Sequence, residues 1–294
     1  MKRGAKNDKK RQMKALTFMA RRFVAGDTAS EAMNVVRALN AQGLTATLDF
    51  LGEDCLNEGQ ASAAAEEILG LLRRISDLGL QSNVSLKLTQ LGFNLSPQLA
   101  RGYLMRLLDA ADQKGNFIRI DMEGSHYTQS TLELFYEVFR ARKNVGAVIQ
   151  SYLRRSAQDV EALIRVGARV RLVKGAYKEP VEVAFATKEE VHDNYDRLAR
   201  RLLEAGDYPA IATHDEARIQ AAIAFAREKG ISKDKFEFQM LYGLRPRRWS
   251  ELRAEGYPMR VYVPYGTHWF PYFVRRLRER KENWMFVLRN LLEG

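Results

Sequence analysis

The stretch NVSLKLTQLGFNLSPQLARGYLMRLLDAADQKGNFIRIDME, residues 83–123, holds one complete strand–helix–strand unit. It opens on an apolar β-type run (83–92) and closes on another (117–123). Between them Leu99, Tyr103, Leu107 and Ala111 recur at helical spacing, which would place them on one face. Ser96 followed by Pro97 marks the helix start: the hydroxyl caps a free N–H, and proline has no N–H to leave unpaired. Gly115 supplies the stop.

Outward from this unit the alternation continues. The runs are 45–53, 83–92, 117–123, 145–153, 169–177, 210–215, 236–243 and 260–266, each followed by a helical pattern such as Ile219, Ile223 and Ala226 after the sixth. Eight such repeats in about 250 residues predict an α/β fold of the (β/α)₈ TIM-barrel type; a doubly wound open sheet is the alternative. Extra helices are expected at about 28–42 and 281–293. Residues 178–207 are the one place where an excursion fits. No repeat, linker or hinge marks a second domain, so the expectation is a basic arm at 1–18 and one barrel domain at 19–294.

Composition agrees with a packed globular domain: 294 residues, 46% hydrophobic and 28% charged, can bury a large core. A single cysteine, Cys55, excludes an internal disulfide framework and a multi-cysteine metal site. No run approaches the ~18 apolar residues of a membrane span, and MKRGAKNDKKRQMK lacks the apolar stretch of a secretory signal. A cytoplasmic protein is expected. The formal charge is +11, and Lys2, Arg3, Lys6, Lys9, Lys10, Arg11 and Lys14 face only Asp8. Such an arm is a solvated tail or a patch that attracts nucleic acid or anionic lipid.

In a TIM barrel the active site lies at the C-terminal ends of the strands. Nearly every run supplies polar side chains there: Asp49 and Glu53; Lys87, Thr89 and Gln90; Asp121 and Glu123; Gln150; Arg171, Lys174 and Tyr177; Thr213, His214 and Asp215; Glu237 and Gln239; Tyr262 and Tyr265. Charges directed into a barrel cost several kcal/mol unless paired or bound to a ligand. Pairing of Asp121 with Lys87 or Arg171 would satisfy them structurally; so many strands ending this way favour a ligand. There is no G-x-G-x-x-G, no P-loop and no H-E-x-x-H, and only His214 and Asp215 are adjacent, so no metal is expected. In THWFPYFVRRLRER (267–280), Tyr272 lies three and four positions before Arg275 and Arg276, on one helical face. Directly after the eighth strand, the two guanidiniums can converge on one planar anion. Glu279 follows at four and three positions.

The blocks SLKLTQLG, IRIDME, VIQSYL, RLVKGAY, ATHD, FEFQMLYG, RVYVPYG and RRLRE, in this order over about residues 20–294, resemble the proline dehydrogenase family, including the barrel domain of the bifunctional proline utilisation A proteins. The resemblance implies a barrel that binds FAD without a Rossmann fold and oxidises L-proline to Δ1-pyrroline-5-carboxylate, hydride passing from C5 to flavin N5. It implies that Lys87, Arg275 and Arg276 bind the substrate carboxylate. Asp121 would hold that basic cluster, and Tyr262, Tyr272, Leu241 and Ala176 would surround the ring. Flavin contacts would fall on Met122, Gln150, Arg171, Val173, Lys174, Gly175, Ala176, Thr213, His214, Gln239 and Glu279, with Arg171 near N5. Asp121 and Arg171 are the expected catalytic pair.

The family passes electrons to a membrane quinone, which gives the basic surface a use: peripheral docking on the anionic inner leaflet. Unlike the bifunctional relatives, this chain shows no DNA-binding segment and no second dehydrogenase domain, so no nucleic-acid partner is expected and a separate enzyme would oxidise the product. The alternatives are a basic barrel that binds nucleic acid without chemistry, and a flavin or pyridoxal barrel acting on another amino acid.

Overall fold

In the computed structural model, which describes residues 20–279, the eight runs close into one parallel barrel, each strand beside the next and the eighth beside the first. The strands are β1 (Thr45–Phe50), β2 (Ser82–Leu86), β3 (Ile118–Ile120), β4 (Val145–Gln150), β5 (Val170–Val173), β6 (Ala210–Ala212), β7 (Glu237–Leu241) and β8 (Met259–Tyr265). The helices among the described residues are α1 (Ala29–Ala41), α2 (Glu58–Asp77), α3 (Pro97–Gln113), α4 (Ser125–Ala141), α5 (Ser156–Arg165), α6 (Lys188–Ala205), α7 (Glu216–Glu228), α8 (Pro246–Ala254) and α9 (Trp269–Glu279). The basic arm at 1–18 and the helix expected at 281–293 lie outside the described residues.

Local chemistry starts most helices where the sequence signals them. Thr28 and Thr187 each form a reciprocal capping box, with Glu31 and Glu190, at the N-termini of α1 and α6. Ser96 caps α3 and Pro97 takes its first position. All strands but β8 are shorter than their runs. The chain after Leu86 leaves the sheet and folds into a 3₁₀ turn at Thr89–Leu91 that ends on left-handed Gly92. Of the excursion expected at 178–207, residues 188–205 are α6, the regular barrel helix. The departure is the strap before it, tied back by an antiparallel bridge from Leu153 to Ala184.

The period-2 alternation of the strands separates two interiors. Leu48, Val84, Leu86, Ile118, Ile120, Leu172, Ile211, Phe238, Val261 and Val263 are buried against the helix layer in one continuous apolar core. Each such side chain contributes about 1.5–3 kcal/mol. The intervening residues face the bore, and most of them are polar: Thr47 and Asp49, Asn83 and Ser85, Arg119, Arg171, Glu237 and Gln239 are all buried. TIM-barrel bores are usually filled by branched aliphatic side chains. This bore is built from ions and amides.

A second apolar cluster covers part of the mouth. Trp269, Tyr272 and Phe273 of α9 pack on Ala20, Phe23, Val24, Leu51 and Leu244. The 20–24 segment can pass this close because residue 243 is glycine: φ is +78°, and a Cβ there would lie 1.7 Å from the Arg22 carbonyl oxygen. Gly243→Ala is therefore expected to cost about 1–3 kcal/mol in backbone strain alone, and to loosen the packing of α9 on the 20–24 segment. Thermal unfolding checks this; unchanged stability would mean that the 20–24 segment is not held there.

Candidate active site

The strands deliver one connected cluster of charge to the C-terminal end of the bore. Asp121, just beyond β3, is its hub. One carboxylate oxygen accepts from Arg171 Nη1 at 2.7 Å and the other from the Tyr262 hydroxyl at 2.6 Å. Arg171 is fixed at three corners, its Nε donating to Gln239 Oε1 at 2.6 Å and its Nη2 to Ser85 Oγ at 3.1 Å. Its guanidinium lies over the Tyr262 ring, 5.2 Å from the centroid. Side chains of β2, β7 and β8 and of the residue just after β3 thus hold this one cation of β5 in one orientation.

Lys87 sits beside this hub, with Nζ 3.3 Å from Asp49, 3.7 Å from Asp121 and 3.9 Å from Glu53. Burial works against its ammonium, but Asp49, Asp121 and Glu53 outweigh that cost and raise its pKa, so it stays charged. Asp49 is pushed upward by burial, against the pull of Lys87. Burial likewise lifts Glu123 to about 7, although Thr89 donates to it from both hydroxyl and backbone.

Above the cluster, α9 presents its arginines. Arg275 makes a two-pronged ion pair with Glu53, at 2.5 and 3.1 Å, and lies over the Tyr177 ring. Arg276 is buried, with its guanidinium over Tyr272. The remaining rim residues follow on β4 to β7. Gln150 Nε2 donates to the Glu123 carbonyl at 2.8 Å, Lys174 bonds Asp215 and His192 at 2.7 and 2.8 Å, and His214 Nε2 accepts from the Leu241 N–H at 2.9 Å. Met122 and Thr213 are buried, whereas Val173, Lys174 and Leu241 are partly open and Ala176 is exposed.

Lys87, Asp121, Arg171, Gln239 and Tyr262 therefore meet as one cluster, with Arg275 beside it through the shared Glu53. Glu279 lies in α9, but its side chain falls outside the described residues. Gly175 has φ +115°, and a Cβ there would meet the Tyr152 ring at 2.4 Å, so glycine is required at this position by that ring as well as by the backbone.

Two residues grouped with the mouth lie elsewhere. Glu237 is the first residue of β7, at the opposite end of the bore, where Arg260 pairs with it. Tyr265 turns out of the bore and donates to Glu67 of α2 at 2.8 Å. Ser85 and the strap carboxylate Glu179 were not singled out. Ser85 is legible as the middle of the polar series Asn83, Ser85, Lys87. Glu179, which accepts from Ser125 N–H and Tyr152 hydroxyl, has no signal in its own neighbourhood. Among the described residues, no group of three or more His, Cys, Asp and Glu could hold a metal, and no helix is long and apolar enough to cross a membrane.

A closed parallel barrel with a fixed cluster of charged side chains at its C-terminal mouth has the form of an α/β-barrel enzyme. The chain belongs to the proline dehydrogenase family: the family model "Proline dehydrogenase" matches residues 32–289. It is 46% identical to proline dehydrogenase 1 of Bacillus subtilis (strain 168) over 275 residues, 93% of this chain and 91% of that one. It is also 39% identical to the proline dehydrogenase of Deinococcus radiodurans over 281 residues, covering 94% and 91%. Among solved structures, proline utilization A from Bdellovibrio bacteriovorus, inactivated by N-propargylglycine, superposes with a TM-score of 0.83 at 30% identity; the match covers 89% of this chain and 32% of that one. The activity that defines the family is the first step of proline catabolism.

Proposed function

We propose that the chain is an FAD-dependent proline dehydrogenase that oxidises L-proline to Δ1-pyrroline-5-carboxylate and passes the electrons to a membrane quinone. The observation that carries this reading is the Arg171–Asp121–Tyr262 cluster with Lys87 against it, under the arginines of α9. When bound, the flavin supplies an acceptor at N5 for the hydride leaving proline C5.

The residues present fit such a cofactor. Gln150, Arg171, Lys174, Thr213 and Gln239 occupy neighbouring strands, β4 to β7, or the loops that directly follow them. This half of the rim offers guanidinium, ammonium, amide and hydroxyl donors suited to ring carbonyls and a pyrophosphate. The other half, formed by β1, β2, β8 and α9, is suited to an amino acid. Arg275, Arg276 and Lys87 bind its carboxylate, and Asp121 holds the cations in place. Tyr262, Tyr272 and Leu241 enclose its ring and exclude water, and Ala176 leaves room beside it. Arg171, locked by Asp121, Gln239 and Ser85, places a fixed positive charge where negative charge develops.

The net charge of +11 supports docking of the enzyme on an anionic membrane face. Anaerobic titration with L-proline tests the reading as a whole: flavin absorbance should bleach in proportion to added proline. A purified chain without flavin, or one whose flavin proline leaves oxidised, would overturn it.

Tyr262 is placed to sense substituents on the substrate ring. Its phenol fills the space that a 4-hydroxyl needs, so Tyr262→Ser should lower kcat/KM for proline and narrow the proline/trans-4-hydroxyproline ratio. A filled pocket discriminates by more than the ~1–3 kcal/mol of one methylene only while its wall is rigid, and the 2.6 Å bond to Asp121 supplies that rigidity. An unchanged or wider ratio would place Tyr262 away from the ring.

A further inference from the structure

At the end of the bore opposite the mouth lies a cavity of about 400 Å³. Arg119, Glu237 and Arg260, near the N-terminal ends of β3, β7 and β8, form its polar wall, and Lys114, Arg169 and Asn116 stand at its rim. None of these residues takes part in the chemistry proposed at the mouth.

The charges of this floor do not balance. Lys114, Arg119, Arg169 and Arg260 are lining cations, whereas Glu237 is the one lining carboxylate; outside the lining, Asp207 pairs with Arg169 at 3.5 Å, which leaves the cations in excess. Glu237 is already engaged: Arg260 Nε donates to both its oxygens at 2.9 and 3.1 Å, and Gln239 Nε2 donates at 2.5 Å. Arg260 holds it below the usual carboxylate range in spite of burial.

Arg119 is left without a carboxylate. Its residue is 2% exposed. Nη1 donates to the carbonyls of Ala147 and Arg169, at 3.3 and 3.0 Å, and buried Nε has no hydrogen-bond partner among the described residues. Burial, then Arg171 and Arg260, press its pKa downward against the opposing pull of Glu237 and Asp121. A guanidinium does not give up its proton, so the pressure reflects a positive charge that the protein offsets only in part. Aromatic surface adjoins it: Arg119 and Arg169 both lie over the Phe117 ring, and Arg169 also lies over Tyr208. A cavity with convergent cations and an apolar wall is the kind that takes a small molecule with an anionic head.

We propose that this floor cavity is a binding site for a small oxyanion, a carboxylate or a phosphate, held by Arg119 and Arg260 and steered by Lys114 and Arg169. The site is separate from the one that takes proline, and its test does not depend on cofactor or turnover.

The purified full chain is titrated by calorimetry with inorganic phosphate and, separately, with succinate, at ionic strength matched with chloride. Saturable binding of either at one site is expected, and the tighter ligand identifies the head group. Arg119→Gln is the direct variant, but it alters a packed position. Lys114→Gln with Arg169→Gln, both at exposed residues, is therefore the second variant. The rim pair should weaken binding at least about tenfold, through two lost charges near the ligand, while Arg275→Met leaves it unchanged. Absence of saturable binding by both anions would overturn the proposal. So would binding that the rim pair leaves intact, or binding that Arg275→Met abolishes.

Discussion

Arg171→Ala is expected to slow proline oxidation at saturating proline by about 100- to 1,000-fold, the range found when one preorganised charge-stabilising donor is removed. Three side chains on or directly after three other strands, Ser85, Asp121 and Gln239, aim this guanidinium, so its orientation is set before substrate arrives and costs nothing at the moment of reaction. The same truncation leaves Asp121 with Lys87 and Tyr262 as its remaining partners. Rapid-mixing measurement of flavin reduction, corrected for flavin content, reads the effect directly. A change confined to KM would show that Arg171 serves substrate binding rather than the developing charge.

The second large effect is expected at Arg275. Arg275→Met should raise the KM for proline about 10- to 100-fold with a smaller change in kcat, since a charge-assisted hydrogen bond is worth ~1.5–3 kcal/mol. Arg276→Met should act in the same direction. Arg275 pairs with Glu53, so under the proposed function the substrate carboxylate would take the place of a carboxylate of the protein. Without Arg275, the negative charge of Glu53 is left with Lys87, 3.9 Å away, and stands against the incoming carboxylate. Adding Glu53→Gln to Arg275→Met should therefore recover part of the lost affinity, a coupling that a double-mutant cycle measures. Strict additivity would mean that the pair plays no part in admitting substrate.

The barrel was legible because periodicity is local. Leu99 to Ala111 show a helix and Val84, Leu86 and Ile120 a strand without reference to anything distant. The bore was harder to read. Glu237 and Tyr265 lie in polar-ended runs, yet Glu237 opens its strand and so sits at the floor, while Tyr265 continues the outward series Val261 and Val263 and faces α2. Which polar residue reaches the mouth depends on where each strand begins and on its parity, and both are fixed only in the closed sheet. Lys87, Asp121 and Arg171 were recognisable as a set through family blocks and through the cost of burying charge. Their mutual geometry, and the capture of Arg275 by Glu53, depends on loops that carry no periodic signal. The floor cavity escaped for a similar reason: Arg119 reads as one polar position in IRIDME, and its lack of a directly paired carboxylate among the described residues shows only once every neighbour is in place.

The ion-filled bore also bears on how the molecule comes apart. An apolar bore can lose one strand and partly reclose, because aliphatic side chains are interchangeable neighbours. Here detachment of β7 would strip Gln239 from Arg171 and Glu237 from Arg260 together, and loss of β3 would deprive Lys87, Arg171 and Tyr262 of Asp121. Each departure strands buried charge on strands that have not moved, at several kcal/mol apiece. Partly opened barrels are thereby made expensive compared with both the closed and the fully unfolded chain, so the ring should open all at once. Amide hydrogens of β2, β3, β5 and β7 are accordingly expected to exchange through one common global event, while α5 and the 178–187 strap, which hold none of these ions, exchange earlier through local openings.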